Sequence, residues 1–140
     1  RLLKHPRSNI TLSDAGAHLT FFNDAGYGLY MLEKWVRENN LMSKENAIYN
    51  LTGKQADIYR IDQRGRLVPG QYADMMLIDL DKVGVSKTYR VNDLPGGSSR
   101  LNIDGHGIHS VWINGEKVFS ENAIINNKNL PGKVLRGFHS

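Results

Sequence analysis

The sequence contains no cysteine and no long hydrophobic run. Without cysteine it can form no disulfide framework, no thiolate nucleophile and no cysteine-based zinc site. No apolar run approaches the roughly 20 residues that a membrane span requires, and the first residues lack the apolar region of an export signal. We therefore expect no membrane partner, and we expect a cytoplasmic location, with which the absence of cysteine is compatible.

Charge of one sign is not concentrated anywhere in the chain. There are 18 Lys and Arg against 14 Asp and Glu, a formal net charge of +4, without a run of like charges or an arginine and aromatic stripe. We therefore expect no nucleic-acid partner. With 40% hydrophobic and 23% charged residues, the 140-residue chain has the composition of a folded domain with a real core. It begins with arginine rather than methionine, so we expect an internal start.

The first feature that points to chemistry is the stretch from Ser13 to His18. Asp14 directly follows the short, apolar-alternating run 9–12, and Gly16 then supplies a turn. In parallel α/β barrels the carboxyl ends of the strands carry the catalytic groups, so a carboxylate at this place has a catalytic role open to it. An Asx-turn or a helix N-cap explains the same residues without any catalysis. The stretch alone leaves both interpretations open.

Two helices are predicted after the acidic turn. Leu29, Leu32 and Val36 fall on one helical face, and this helix is expected to end near residues 39–40. Ser43 is a candidate N-cap for a second helix. That helix is expected to run through Leu51 and to close at Thr52 and Gly53, followed by a short turn that carries Ala56 and Ile58.

The second half of the chain is predicted to be a small β unit. Residues 73–80 read as a buried strand, and residues 94–99 as a turn or flexible loop. The runs 111–113 and 117–119 flank Asn114-Gly115, which tolerates positive φ at both central positions of a type I′ turn. We therefore predict a β-hairpin across Asn114-Gly115.

Several of these segments together resemble the amidohydrolase superfamily. Residues 64–74, followed by four apolar residues and Asp79, resemble the pattern with which that family leaves its barrel for a small β-sandwich domain. Residues 111–118 look like the family's closing hairpin. Residues 131–136 are similar to the tail of the D-aminoacylase (N-acyl-D-amino-acid deacylase) branch. With Ser13-Asp14 at the head, the four motifs stand in the family's order.

The resemblance implies an α/β plus β architecture. Residues 1–63 would be the last strand, at 9–13, and the helices of a TIM-like (β/α)8 barrel. Residues 64–140 would be the C-terminal part of a small β-sandwich domain and its tail. A complete barrel takes roughly 250 residues, so most of it would lie outside this chain.

The resemblance also implies an activity and a site. It predicts a metal-dependent hydrolase that cleaves the amide bond of N-acyl-D-amino acids or related amides, with Asp14 as the proton-transfer carboxylate. Asp14 would also contact a divalent metal, zinc, whose bound water it would deprotonate before it protonates the leaving amine. Ser13, Gly16 and His18 would contact the small-molecule amide substrate, although His18 is equally well explained as an ordinary polar loop residue.

The family's other metal ligands are missing from the sequence. The chain contains no His-x-His pair, and a usable catalytic zinc site needs about three protein ligands. We therefore expect the isolated chain to be inactive and its main partner to be the remainder of the barrel polypeptide, with a homo-oligomer left open. Two alternatives remain: a segment of a cyclic-amide hydrolase of the dihydroorotase or hydantoinase kind, or a non-catalytic β module for assembly.

The remaining candidates are assigned to structure rather than chemistry. His106 and His109 are interpreted as loop residues, because no third ligand completes a metal site with them. Asp74 and Asp79 are expected at strand ends and turns. The following side chains are expected to serve packing or a solvated tail: Phe21, Phe22, Tyr27, Tyr30, Lys133 and Arg136.

Overall fold

The computed structural model describes residues 2–120, 123–125 and 130–136. A short 3-10 turn (Leu2–Lys4) precedes a helical half. Its elements are α1 (Tyr27–Tyr30), which continues directly as a π-helical segment (Met31–Glu38), α2 (Lys44–Leu51) and α3 (Gly53–Tyr59). No helix among these residues is long and apolar enough to cross a membrane.

The first predicted helix is confirmed, with an unexpected geometry. Met31 and Leu32 are 3% and 4% exposed, as the apolar face requires. The hydrogen bonding widens to the π pattern, so that the backbone N–H of Asn39 donates to the carbonyl oxygen of Lys34, five residues back, at 3.0 Å. The periodicity thus located the buried face but not the widened turns.

The second helix starts at the predicted cap. The Ser43 hydroxyl accepts a hydrogen bond from the backbone N–H of Asn46 at 3.2 Å. The short turn expected after this helix is wrong, because Gly53 begins a third helix. Gly53 and Ala56 are both buried on α3, so packing favours helix where the glycine suggested an end.

Eight short strands form the described part of the second half. They are β1 (Met75–Ile78), β2 (Gly84–Val85), β3 (Tyr89–Val91), β4 (Arg100–Asn102), β5 (Gly105–His106), β6 (Ile108–Ile113), β7 (Glu116–Ser120) and β8 (Ala123–Ile124). One antiparallel sheet has the strand order β1-β6-β7-β8, and the pairs β2-β5 and β3-β4 are separate antiparallel ladders.

The β6–β7 hairpin is confirmed at Asn114-Gly115. These residues have φ of +50° and +84°, the two positive values that a type I′ turn requires. The strand expected over 73–80 is present as β1, but its description as buried is wrong. Met76 and Leu77 are 47% and 54% exposed, because no second layer of described residues covers that part of β1.

The ladders β2-β5 and β3-β4 lie along one two-stranded ribbon, residues 84–106, which we call the ribbon. The backbone N–H of Ser86 donates to the carbonyl oxygen of Asp104 at 2.8 Å between the two ladders. A 3-10 turn (Pro95–Gly97) lies at the ribbon's tip, where a turn was expected. The interpretation of His106 and His109 as loop residues is wrong. His106 lies on β5 and pairs with Gly84, and His109 lies on β6 at a bulge, between the residues that pair with Ile78 and Leu77 on β1.

The helical half and the β half share one core. Its buried members are Met31, Leu32, Ala47 and Val83, and Val83 is 0% exposed. Ile10 from the start of the chain and Ile78 from β1 pack against this cluster. Residues on both sides of position 64 are therefore needed to complete the core.

Residues 9–13 do not form the predicted strand. A strand needs a neighbour that takes up its backbone hydrogen bonds, and no described segment pairs with these residues. The carbonyl oxygen of Ile10 instead accepts from the Gln55 side chain on α3 at 2.8 Å. The segment is held in place by side chains rather than by a ladder.

Candidate functional site

Asp14 lies in an irregular loop between residues 13 and 24, which we call the Asp14 loop. Asp14 is exposed to solvent. Its backbone carbonyl oxygen accepts a hydrogen bond from the N–H of Ala17 at 2.9 Å in a tight turn. The Ser13 hydroxyl accepts from the N–H of Ala15 at 3.3 Å. Asp14 therefore stands on a local turn that presents its carboxylate to solvent.

The other predicted site residues, Gly16 and His18, lie on the same loop. Gly16 has φ of +89°, and beyond its chain neighbours no atom lies within 4 Å of where a Cβ would be. The His18 ring stacks on Phe21 at 4.7 Å between ring centroids, and the His18 carbonyl oxygen accepts from the N–H of Phe22 at 2.9 Å. The loop thus brings all four predicted residues onto one exposed stretch of chain.

Two residues that the sequence did not single out connect this loop to its surroundings. The Asp24 Oδ2 atom accepts a hydrogen bond from the backbone N–H of Asp14 at 3.4 Å. The Asp24 Oδ1 atom is buried and has no hydrogen-bond partner among the described residues. The Asn23 Oδ1 atom accepts a hydrogen bond from the backbone N–H of Ala25 at 3.0 Å. The Asn23 Nδ2 atom donates to the carbonyl oxygen of Leu101 at 3.2 Å. The only local signal was the turn-forming composition of residues 23–26.

The contact with Leu101 places the ribbon beside the Asp14 loop. The backbone N–H of Leu101 donates to the carbonyl oxygen of Leu19 at 2.7 Å, so both of its backbone polar groups bond to the loop. In an antiparallel pair, alternate residues direct these groups away from the partner strand. Leu101 on β4 therefore offers a free strand edge, and the Asp14 loop occupies it.

The described residues do not make a metal site by themselves. No group of three or more His, Cys, Asp or Glu side chains comes together within residues 2–120, 123–125 and 130–136. A catalytic zinc needs about three protein ligands and an open position. Asp14 alone does not meet that requirement, so any metal held beside it needs ligands from beyond these residues.

The aromatic side chains of the loop and of α1 are not packed as expected. Phe21 is 69% exposed, and Phe22, Tyr27 and Tyr30 are exposed as well. Leu12, next to Asp14, is 82% exposed. Apart from the His18 ring on Phe21, little of the described chain covers these side chains, which is why the packing expectation fails.

The motif that begins at Arg64 has a structural role. The Arg64 side chain is 14% exposed, forms an ion pair with Asp74 and donates from Nη2 to the Asn114 side-chain oxygen at 2.9 Å. The backbone N–H of Asn114 donates to Asp74 at 2.8 Å. The motif therefore fastens the type I′ turn to the start of β1, and Asp74 and Asp79 flank that strand as expected.

Carboxyl groups with lowered pKa values lie at ion pairs and turns. Two hydrogen bonds from the Arg100 guanidinium hold the pKa of Asp93 below its ordinary value at the tip of the ribbon. The backbone N–H of Asp81 lowers the pKa of Asp79 in the turn after β1. These carboxylates hold local structure at the surface.

Comparison with known proteins identifies relatives of this chain, although none of the protein-family models matches it. The N-acyl-D-aspartate deacylase of Alcaligenes xylosoxydans xylosoxydans is 34% identical over 105 residues, which are 75% of this chain and 19% of the relative. The chain spans about a fifth of that protein's length.

Solved structures give the same result. The crystal structure of a D-aminoacylase, described as defining a novel subset of amidohydrolases, matches with a TM-score of 0.57 and 26% identity over 73% of this chain and 20% of that one. The N-acyl-D-glutamate deacylase from Bordetella bronchiseptica, complexed with zinc and a phosphonate mimic of the tetrahedral intermediate, matches with a TM-score of 0.52 and 31% identity. That match covers 67% of this chain and 18% of the deacylase.

Proposed function

Because this chain is a homologue of the D-aminoacylases among the amidohydrolases, we propose that it is part of a metal-dependent hydrolase that cleaves the amide bond of N-acyl-D-amino acids or related amides. The proposal rests on the similarity over about three quarters of the chain. The relatives are named for deacylation of N-acyl-D-aspartate and N-acyl-D-glutamate, and one of them was crystallised with zinc. We propose zinc or another divalent ion as its metal.

In the complete protein, residues 1–63 would supply the last strand, at 9–13, and the final helices of a (β/α)8 barrel. Residues 64–140 would supply the C-terminal part of a β-sandwich domain. A preceding barrel strand beside residues 9–13 would give them the ladder partner that they lack here. Other elements of the barrel would cover the exposed side chains of Leu12 and Phe21, so the remainder of the barrel is the partner that this surface fits.

Asp14 is proposed as the proton-transfer carboxylate. Water adds to the amide carbon and loses a proton to the Asp14 carboxylate. The C–N bond then breaks, and the same proton passes to the departing amine, which leaves a carboxylic acid and a free D-amino acid. The observation that carries this role is the exposed position of Asp14 on a turn, beside an uncovered apolar surface. Ser13, Gly16 and His18 would contact the substrate from the same loop.

The remaining metal ligands would come from outside the described residues. The metal in such enzymes acidifies water and polarises a carbonyl group. The residues of this chain contribute the proton carrier and one wall of the pocket.

The test uses the complete polypeptide, loaded with zinc and assayed on N-acetyl-D-amino acids. Asp14→Asn keeps the shape of the side chain but removes the proton carrier, so kcat should fall by about 10²-fold to 10⁴-fold. Asp81→Asn, an exposed carboxylate on the turn after β1, is the matched control and should leave kcat unchanged. Retention of full kcat by Asp14→Asn would remove Asp14 from the mechanism.

The same assay separates the alternatives. Turnover of dihydroorotate or hydantoin, with none of N-acyl-D-amino acids, would identify a cyclic-amide hydrolase instead. Binding to another protein by the 140-residue chain, without metal and without the rest of the barrel, would favour an assembly module.

A further inference from the structure

Asn23 joins two parts of the chain that lie far apart in sequence. Its Nδ2 atom donates to the carbonyl oxygen of Leu101, 78 residues away, at 3.2 Å. Its side-chain oxygen accepts the N–H of Ala25 at 3.0 Å. Because both ends of the amide are engaged, the side chain is fixed in one orientation, which requires a donor and an acceptor on the same side chain.

Asp24, the next residue, is bonded to the candidate proton carrier itself. Its Oδ2 atom accepts the backbone N–H of Asp14 at 3.4 Å, a long hydrogen bond across ten residues of loop. Its backbone carbonyl oxygen accepts the N–H of Tyr27 at 3.2 Å, which ties it to the start of α1. Asp14 is therefore connected through Asp24 to a helix and, through the neighbouring Asn23, to the ribbon.

The base of the ribbon is itself firmly held. The Glu33 carboxylate on the π-helical segment accepts the N–H of Val85 at 3.1 Å. The Arg37 guanidinium donates to the carbonyl oxygen of Val83 at 2.6 Å, and Val83 is fully buried. The ribbon that carries Leu101 is thus attached to the core at its base.

We propose that Asn23 and Asp24 are positioning residues, which fix the backbone of Asp14 against β4 of the ribbon. The β half would then take part in catalysis by holding the Asp14 loop. This inference rests on the proposed function for its catalytic consequence, whereas the anchoring itself can be measured without any activity. A shift of a catalytic group by about 1 Å is enough to cost about 10²-fold in rate.

The first variant is Asn23→Asp, which keeps the shape but replaces the donor to Leu101 with an acceptor. In the complete zinc-loaded enzyme, kcat should fall by about 10-fold to 10²-fold while KM changes less than about threefold. Asn92→Asp makes the same chemical change at an exposed position just after β3 and should leave both constants unchanged. Asp24→Asn weakens the acceptor for Asp14 and should give a smaller fall in kcat.

A double-mutant cycle separates positioning from loss of stability. If Asn23 acts through Asp14, adding Asn23→Asp to Asp14→Asn should reduce kcat no further, because the group being positioned is already gone. An additional loss as large as that of the single variant would overturn the inference. Equal kcat for wild type and Asn23→Asp would overturn it as well.

Amide hydrogen exchange decides the anchoring independently of turnover. Asn23→Asp should speed exchange at the Leu101 amide and across residues 17–22, while Asn92→Asp leaves these amides protected. If the complete enzyme hydrolyses no amide, but Asn23→Asp alone speeds exchange at these amides, the proposed function is refuted and the anchoring by Asn23 is supported. Unchanged exchange in Asn23→Asp would refute the anchor.

Discussion

Gly107 lies directly against the backbone of Val83. A Cβ atom at Gly107 would lie 2.4 Å from the Val83 nitrogen, and Gly107 has φ of +72°. Its carbonyl oxygen accepts the N–H of Asp79 at 2.8 Å. The connection between β5 and β6 therefore closes over a fully buried core residue, and it requires glycine both for conformation and for space.

We expect Gly107→Ala to lower the free energy of unfolding by about 3 kcal/mol, from left-handed strain together with overpacking. Gly70→Ala is the control, because Gly70 has φ of +89° but nothing within 4 Å of where a Cβ would lie. It should lose only about 1 kcal/mol. Urea denaturation measures both, and equal losses would show that the contact with Val83 is unimportant.

The Arg64 cluster predicts that lysine cannot replace arginine there. Arg64→Lys keeps the charge but cannot reach Asp74 and Asn114 together, so one partly buried acceptor loses its partner. The expected loss is about 1–3 kcal/mol. Arg66→Lys, at the exposed pair with Asp57, should leave the denaturation midpoint unchanged. A midpoint for Arg64→Lys that matches that of the control would contradict this assignment.

The ribbon tip should loosen in acid. The Arg100 guanidinium, bonded twice to Asp93 at 2.7 Å, lowers the pKa of Asp93 from its ordinary 3.8. The pKa of Asp93 is lower in the folded state than in the unfolded state. The ion pair therefore stabilises the tip above pH 3.8, and this stabilisation is lost as the pH falls through the folded-state pKa of Asp93. Arg100→Gln should raise the pKa of Asp93 in an NMR titration, whereas Arg90→Gln should not.

Core packing should distinguish two methionines. Met31 is 3% exposed, so Met31→Ala leaves a cavity and should lower the free energy of unfolding by about 2–5 kcal/mol. Met76 on β1 is 47% exposed, so Met76→Ala should change the thermal midpoint little in this chain. A large loss at Met76 would show that a second layer covers β1 in solution.

The elements with local causes could be predicted from the sequence. Ser43 caps α2, and Asn114-Gly115 turns the hairpin, because side-chain and φ preferences act within a few residues. The apolar face of the first helix was located by periodicity for the same reason. The resemblance to amidohydrolases was also confirmed by the D-aminoacylase relatives.

Features that depend on distant partners could not be predicted. Residues 9–13 have a strand pattern but no neighbouring strand among the described residues. Gly53 suggested the end of a helix, but α3 begins there because Gly53 and Ala56 are buried against the rest of the chain. The hydrogen bond from Asn23 to Leu101 joins positions 78 residues apart, which no local pattern reveals. The roles of Ser13, Asp14, Gly16 and His18 stay predictions.

The shared core also has a consequence for synthesis on the ribosome. Met31, Leu32 and Ala47 are made before the rest of the core, with Ile10 and Leu51 packed beside them, whereas Val83, Ile78 and Leu80 follow later in the chain. Chains grow at about 5–20 residues per second, so the helices wait several seconds for these later members of the core. Cotranslational burial of this segment is therefore completed only when the turn after β1 has left the exit tunnel.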